Sequence, residues 1–339
     1  MKRANQESNK YILLFILLWV ILLSGCSKEP SRLEKASLRI HWTAQTQFAG
    51  YYVALDRGWY RDEGIDLTIH TGGPDIDAVE MISTGEDDFA TGWFTTLLGA
   101  RDRGLPVINI AQIFQRSGLV FIAKKDSGIK GPKDFVGKTL GVWEGYENRL
   151  KALLGKVNID PDNVEIVTQK WSMVPFIEGV LDVASAMTYN EYLILLQSGF
   201  SKEDLNVISY VDYGINIPED GIFVTEKTLK EKRDVCVAFV RASIKGWNYA
   251  LKHPQEAVEI LMKHDIELNR EQQLSMLEEV AKLINCEATI TKGIGYLDPE
   301  TLNSVGEFLY LYGQLKGMPD IEKAYTHEIW QEAQGGQER

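Results

Sequence analysis

From Leu38 to Thr225 the chain alternates in one order, a short apolar run, a polar or aromatic loop, then a helical stretch, with no internal sequence repeat. The first such unit lies in HWTAQTQFAGYYVALDRGWYRDEGIDLTIH, His41 to His70. A strand over Leu38–Trp42 breaks into the polar loop Thr43–Gln47. A helix enters near Phe48, carries Tyr51, Tyr52 and Ala54, and stops at Gly58. The pair Trp59-Tyr60 then leads into a second strand, Ile65–His70. Such alternation predicts mainly parallel sheets with helices on both faces. Ligands of open α/β sheets sit beyond the carboxyl ends of the strands. Trp42, Thr43, Gln45, Gln47 and Tyr51 fall at such a place.

The unit recurs along the chain. Strands are expected at Phe89–Thr91, Val107–Phe114, Leu119–Ala123, Thr139–Trp143, Val164–Thr168, Val183–Met187, Val207–Tyr210 and Gly221–Thr225, with helices between most of them. The Gly-, Lys- and Asp-rich stretch from Asp126 places a crossing into a second lobe near Lys124-Lys125, and Gly221–Thr225 reads as the return. Lobe 1 is therefore 38–124 with 222–339, and lobe 2 is 125–221. From Glu226 onward the apolar spacing is helical throughout; Val235, Ala238, Phe239, Ala242 and Gly246 share one face. Two αβ lobes joined by two crossings make a clamp that closes on a small ligand.

The first residues read as a leader rather than as part of the fold. Lys2, Arg3 and Lys10 precede the uncharged apolar run Tyr11–Leu23, short for a membrane span and right for a signal-peptide core. The run ends in Leu-Ser-Gly-Cys at Cys26, which resembles a bacterial lipobox. Residues 1–25 are expected to be removed, Cys26 to carry lipid, and 26–37 to act as a flexible tether. The body then lies outside the cytoplasm, anchored to the bacterial membrane. A net charge of -12 argues against nucleic acid and against an anionic membrane face as partners. Cys236 and Cys286 are too far apart in sequence for a metal motif; they are either a disulfide or two buried thiols.

The pattern QxQFAGYYVAxDxGWYxxEGIDLxI resembles the opening of solute-binding proteins of the NMT1/THI5-like group, and the likeness runs from about Leu38 to about Lys252. These are extracytoplasmic receptors of ABC importers, and the group includes receptors for pyrimidine precursors of thiamine. The resemblance implies a periplasmic-binding-protein type II-like α/β fold with a helical C-terminal part, a monomer, and an ABC permease as partner. It implies no cofactor.

Loops that follow strands repeatedly carry an aromatic or an amide. Trp42, Gln47, Tyr51, Trp93, Gln115, Trp143, Tyr146, Trp171, Tyr189 and Tyr213 are the candidate ligand contacts on that ground. Indole and phenol faces grip a planar heterocycle, each stack adding about 0.5–1.5 kcal/mol beyond burial. Glu191, in the sequence TYNEY at a loop-to-helix junction, is the sharpest candidate. Its carboxylate accepts two hydrogen bonds side by side, matching the amino group and protonated ring nitrogen of a 4-aminopyrimidine. In the thiamine-precursor receptors an acidic residue in a similar sequence faces the pyrimidine, so the resemblance assigns that role to Glu191. Glu144 and Glu147 read as rim residues, and Gly72-Gly73-Pro74 as a turn, since no Gly-Lys-Ser/Thr follows it.

Two other ligand classes suit the same group. A flavin stacks equally well but prefers Asn or Gln at its uracil-like edge. An alkanesulfonate, taurine or nitrate wants helix N-termini and Arg. An enzyme is the rival class, because the group includes the fungal pyrimidine synthase, which uses a Lys and a His on the segment matching Gly92–Ala100. Trp93 and Leu97 stand there in this chain, the cysteine-rich iron motif of that enzyme is missing, and no Ser-His-Asp or Cys-His set is evident.

Overall fold

A computed structural model describes residues 33–335 of the chain. The expected leader, Cys26 with its expected lipid, and most of the expected tether lie outside the described residues. The strands are β1 (Glu34–Arg39), β2 (Ile65–His70), β3 (Phe89–Gly92), β4 (Val107–Phe114), β5 (Leu119–Lys124), β6 (Thr139–Trp143), β7 (Glu165–Gln169), β8 (Val183–Met187), β9 (Leu205–Ser209) and β10 (Glu219–Thr225). They form two five-stranded sheets, ordered β2-β1-β3-β10-β4 and β7-β6-β8-β5-β9.

The sheets are mixed rather than mainly parallel. In the first, β1 runs parallel to β2 and β3 while β10 is antiparallel to β3 and β4. In the second, β6 runs parallel to β7 and β8 while β5 is antiparallel to β8 and β9. The reversed strand of each sheet is the one that enters from a crossing. Those crossings are Gln115–Gly118, between β4 and β5, and Gly214–Pro218, before β10. Both lie upstream of the sequence-based places: β5 belongs to the second sheet, and Glu219–Gly221 to the first. β5 and β10 are buried almost throughout, so periodicity carries no hint of which sheet receives them.

β1 also starts at Glu34, inside the stretch read as tether, because EKAS pairs in register with Ile65–Thr68 although its first two side chains are exposed. Polar residues on an edge-facing strand start look like linker in sequence; the backbone ladder decides otherwise.

The C-terminal helices cover the first sheet. The helix Arg233–Lys252 lies against Ala49–Asp56 at a glycine-to-glycine contact. A Cβ on Gly246 would stand 2.0 Å from the Gly50 carbonyl oxygen, so only glycine permits this approach. β4, at the sheet edge, is not left bare: Asn109 N–H donates to the Ala324 carbonyl at 2.9 Å and Gln112 N–H to the Gly295 carbonyl at 3.0 Å. Pairing of this kind protects an edge strand from adding foreign chains. Cys236 is buried, Cys286 half-buried, and both are free thiols. Among the described residues no helix is long and apolar enough to cross a membrane.

Candidate functional site

β1, β3, β6, β7 and β8 point their carboxyl ends into one gap between the sheets. The loops that leave them bring His41, Trp42, Gln45 and Gln47, then Trp93, from the first sheet. From the second come Trp143, Tyr146, Trp171, Met187, Tyr189, Asn190 and Glu191. These residues line a cleft with about 460 Å³ of empty space, open solvent at its mouth included.

Five rings form a continuous wall. Trp42 meets Trp171 with centroids 4.9 Å apart, Trp171 meets Trp143 at 5.6 Å, Trp143 meets Tyr146 at 5.6 Å, and Tyr146 meets Trp93 at 5.6 Å. Two of these contacts bridge the sheets, Trp42 with Trp171 and Trp93 with Tyr146. A third bridge comes from the helix Glu147–Lys156, whose Arg149 places its guanidinium 4.5 Å from the Trp93 ring centroid and 4.1 Å from that of Tyr146. Arg149 Nη2 also donates to Thr95 Oγ1 at 3.0 Å. The side chain is buried and, among the described residues, its Nη1 has no partner.

Glu191 opens the helix Glu191–Gln197 and is 4% exposed. Its Oε2 accepts the Met187 N–H at 2.9 Å and its Oε1 accepts Asn190 Nδ2 at 2.9 Å. Burial pushes its carboxyl above the usual range, partly offset by those hydrogen bonds. Each oxygen keeps a lone pair for a further donor.

Beneath the cavity lies a polar floor that sequence reading missed. Because β10 is reversed, its first residues sit beside the carboxyl end of β3, with Gly221 opposite Gly92. This delivers two fully buried acids, Glu219 and Asp220. Glu219 Oε1 accepts from Ser117 Oγ at 2.7 Å and Gly118 N–H at 2.8 Å, and its Oε2 accepts from Tyr189 Oη at 3.1 Å. One carboxyl thus ties the first crossing, β10 and the second sheet together. Burial pushes it up to about 7. Tyr189 is set in place by Gly118, where a Cβ would stand 2.7 Å from its ring. Asp220 Oδ1 and Oδ2 lie 3.2 and 3.1 Å from Gln47 Nε2, and His41, lowered to about 4 by burial, is neutral beside it.

The cavity therefore gathers Trp42, Gln47, Trp93, Trp143, Tyr146, Trp171, Tyr189 and Glu191 from the sequence-derived set. Three members lie elsewhere. Tyr51 is fully buried in the first lobe's core, edge-on to Trp247 and stacked with Phe239; in a helix with Tyr51 and Tyr52 both inward, spacing does not say which side meets the gap. Gln115 is a clasp of the first crossing, donating from Nε2 to the Gln112 and Tyr296 carbonyls at 2.8 Å each. Tyr213 follows β9, and its hydroxyl lies over Gly131, away from the gap. His41, Gln45, Met187 and Asn190 are added by the structure. Their signal was available in part: Gln45 already stood in the loop placed at the end of the first strand, His41 adjoins Trp42, and Asn190 lies between Tyr189 and Glu191. Among the described residues no group of His, Cys, Asp and Glu is arranged to hold a metal.

The profile described as NMT1/THI5 like matches residues 45–257. The riboflavin-binding protein RibY of Chloroflexus aurantiacus is 28% identical over 313 residues, 88% of this chain and 86% of that one. The formylaminopyrimidine-binding protein of Halalkalibacterium halodurans is 25% identical over 283 residues, 78% of this chain and 84% of that one. A 4-amino-5-hydroxymethyl-2-methylpyrimidine phosphate synthase of Legionella pneumophila is 24% identical over 230 residues, 67% and 73% of the two chains. In fold, the chain superposes on the periplasmic aliphatic sulphonate binding protein SsuA of Escherichia coli with a TM-score of 0.66 at 13% identity, covering 85% of this chain and 91% of that one.

Proposed function

Since the chain belongs to the NMT1/THI5-like family, we propose that it is the extracytoplasmic solute-binding lipoprotein of an ABC importer and that it captures a pyrimidine-type thiamine precursor. The ligand stacks between the indole and phenol rings of the cleft, and Glu191 receives its amino and ring N–H groups. The observation that carries this reading is Glu191 itself: a buried carboxyl lining the cavity, with each oxygen engaged once and free to accept once more. Each charge-assisted bond contributes roughly 1.5–3 kcal/mol. No covalent step is needed; closing of the two lobes on the ligand supplies the form that docks on a permease. Cys26 carries the lipid anchor, and a Cys26→Ser variant is expected to lose labelling by fatty acid in cells.

A flavin is the second reading. It is favoured by the likeness to a riboflavin-binding protein and by Gln45 and Asn190, amides that line the cleft and suit a uracil-like edge. A sulfonate or nitrate is disfavoured, because the lining includes the Glu191 carboxyl, while Arg149 is not among the lining residues and packs over the Trp93 and Tyr146 rings, bonded to Thr95. Thermal-shift screening of aminopyrimidines, flavins, alkanesulfonates and nitrate tests the assignment. Stabilisation by aminopyrimidines is the expected result; stabilisation by sulfonates or nitrate alone overturns it.

A further inference from the structure

We propose that Asp220 sets the ligand preference of the cleft from beneath it, by fixing, through Gln47, which end of the Gln45 amide the ligand meets. The inference rests on the reading of the interlobe cleft as the ligand site. Asp220 touches no solvent and lies behind the lining residues rather than among them. It is held at φ 55, in the left-handed region that Asp and Asn tolerate and most residues avoid. A buried acid in an uncommon backbone conformation, faced by the Gln47 amide and by His41 Nε2 at 3.4 Å, calls for a role beyond packing.

The relay follows from donor and acceptor chemistry. A carboxyl keeps at least one bare oxygen in either charge state, so Asp220 accepts from Gln47 Nε2, 3.1 and 3.2 Å from its two oxygens. With its NH2 end facing Asp220, and also 3.3 Å from His41 Nε2, Gln47 turns its carbonyl oxygen to Gln45, whose Nε2 donates to it at 2.6 Å. The Gln45 amide is thereby oriented with its nitrogen inward. Among the described residues no donor reaches its Oε1, and Gln45 lines the cavity. The cleft therefore offers an acceptor here, as it does at Glu191. Two acceptors favour a ligand edge rich in N–H, such as an amino-heterocycle, over one bearing a carbonyl at the same position. Asp220 touches no ligand; it is a positioning residue acting through Gln47 and Gln45.

The test compares two probes by calorimetry: 4-amino-5-hydroxymethyl-2-methylpyrimidine and its 4-oxo counterpart. Wild type is expected to prefer the amino compound by about 10-fold or more. Asp220→Asn suits the same backbone, yet its own NH2 tolerates Gln47 in either orientation, so the preference should narrow by about 5-fold. Adding Gln45→Glu, which presents only oxygen, should restore the preference in the Asp220→Asn background, something a merely structural lesion would not allow. If Asp220→Asn leaves the ratio of the two affinities unchanged, or if Gln45→Glu fails to restore it, the relay is wrong while the cleft assignment stands. If wild type binds neither probe, the pyrimidine reading falls and the relay with it.

Discussion

At the scale of single residues, the site is a compromise between burial and charge. Glu219 shows it most clearly: desolvation raises its carboxyl to about 7, against the pull of Ser117, Gly118 and Tyr189. In the unfolded chain the same group titrates near 4.5. Between those values the unfolded state gives up its proton first, so the folded state binds more protons and stability falls as pH rises through the window. Above about 7 the contribution is flat. Urea midpoints measured from pH 4 to 8 should show this decline in wild type and a shallower one in Glu219→Gln. Equal slopes in the two proteins would place the titration elsewhere.

At the scale of elements, the strand ends were legible because chemistry is concentrated there. Trp42, Trp93, Trp171 and Tyr189 each follow a strand and Trp143 ends one, and parallel strands align their carboxyl ends whatever the details of the loops. Direction was harder to read. β10 enters from the other sheet and runs backwards, so Glu219 and Asp220, which stand just before the Gly221–Thr225 run that reads as the return crossing, carry no role in the sequence reading and are in fact the floor. Tyr51 and Gln115 failed for a related reason: their places depend on Trp247 and Tyr296, partners far along the chain that no local pattern announces. The same dependence on distant partners makes the Gly50–Gly246 contact brittle. Gly246→Ala adds a carbon 2.0 Å from a backbone oxygen, and the helices must part to admit it. A loss of about 1–3 kcal/mol in stability is expected, as for other overpacked contacts, despite the better helix propensity of alanine. Thermal unfolding checks it; a rise in midpoint would contradict the packing argument.

At the scale of the whole molecule, the described body is a clasp whose two sheets touch across the cavity through Trp42–Trp171, Trp93–Tyr146 and the Arg149 guanidinium. Arg149 reaches Thr95 in the helix Phe94–Asp102 of the opposite lobe, so its bonds exist only when the lobes are together. A desolvated cation over two rings contributes about 2 kcal/mol. Arg149→Met should therefore weaken ligand binding by roughly 10-fold, mainly through faster dissociation, since the closed form is what retains the ligand. Stopped-flow tryptophan fluorescence separates the two rates; a slower association with unchanged dissociation would oppose the latch.

The central claim, that an acid reads the edge of a planar heterocycle held between the rings, is tested most directly by titrating 4-amino-5-hydroxymethyl-2-methylpyrimidine into wild type and Glu191→Gln by calorimetry. Wild type should bind at least about 10-fold more tightly than the variant, from the lost charge-assisted pair, with both proteins equally folded. Equal affinity of the two proteins would contradict it.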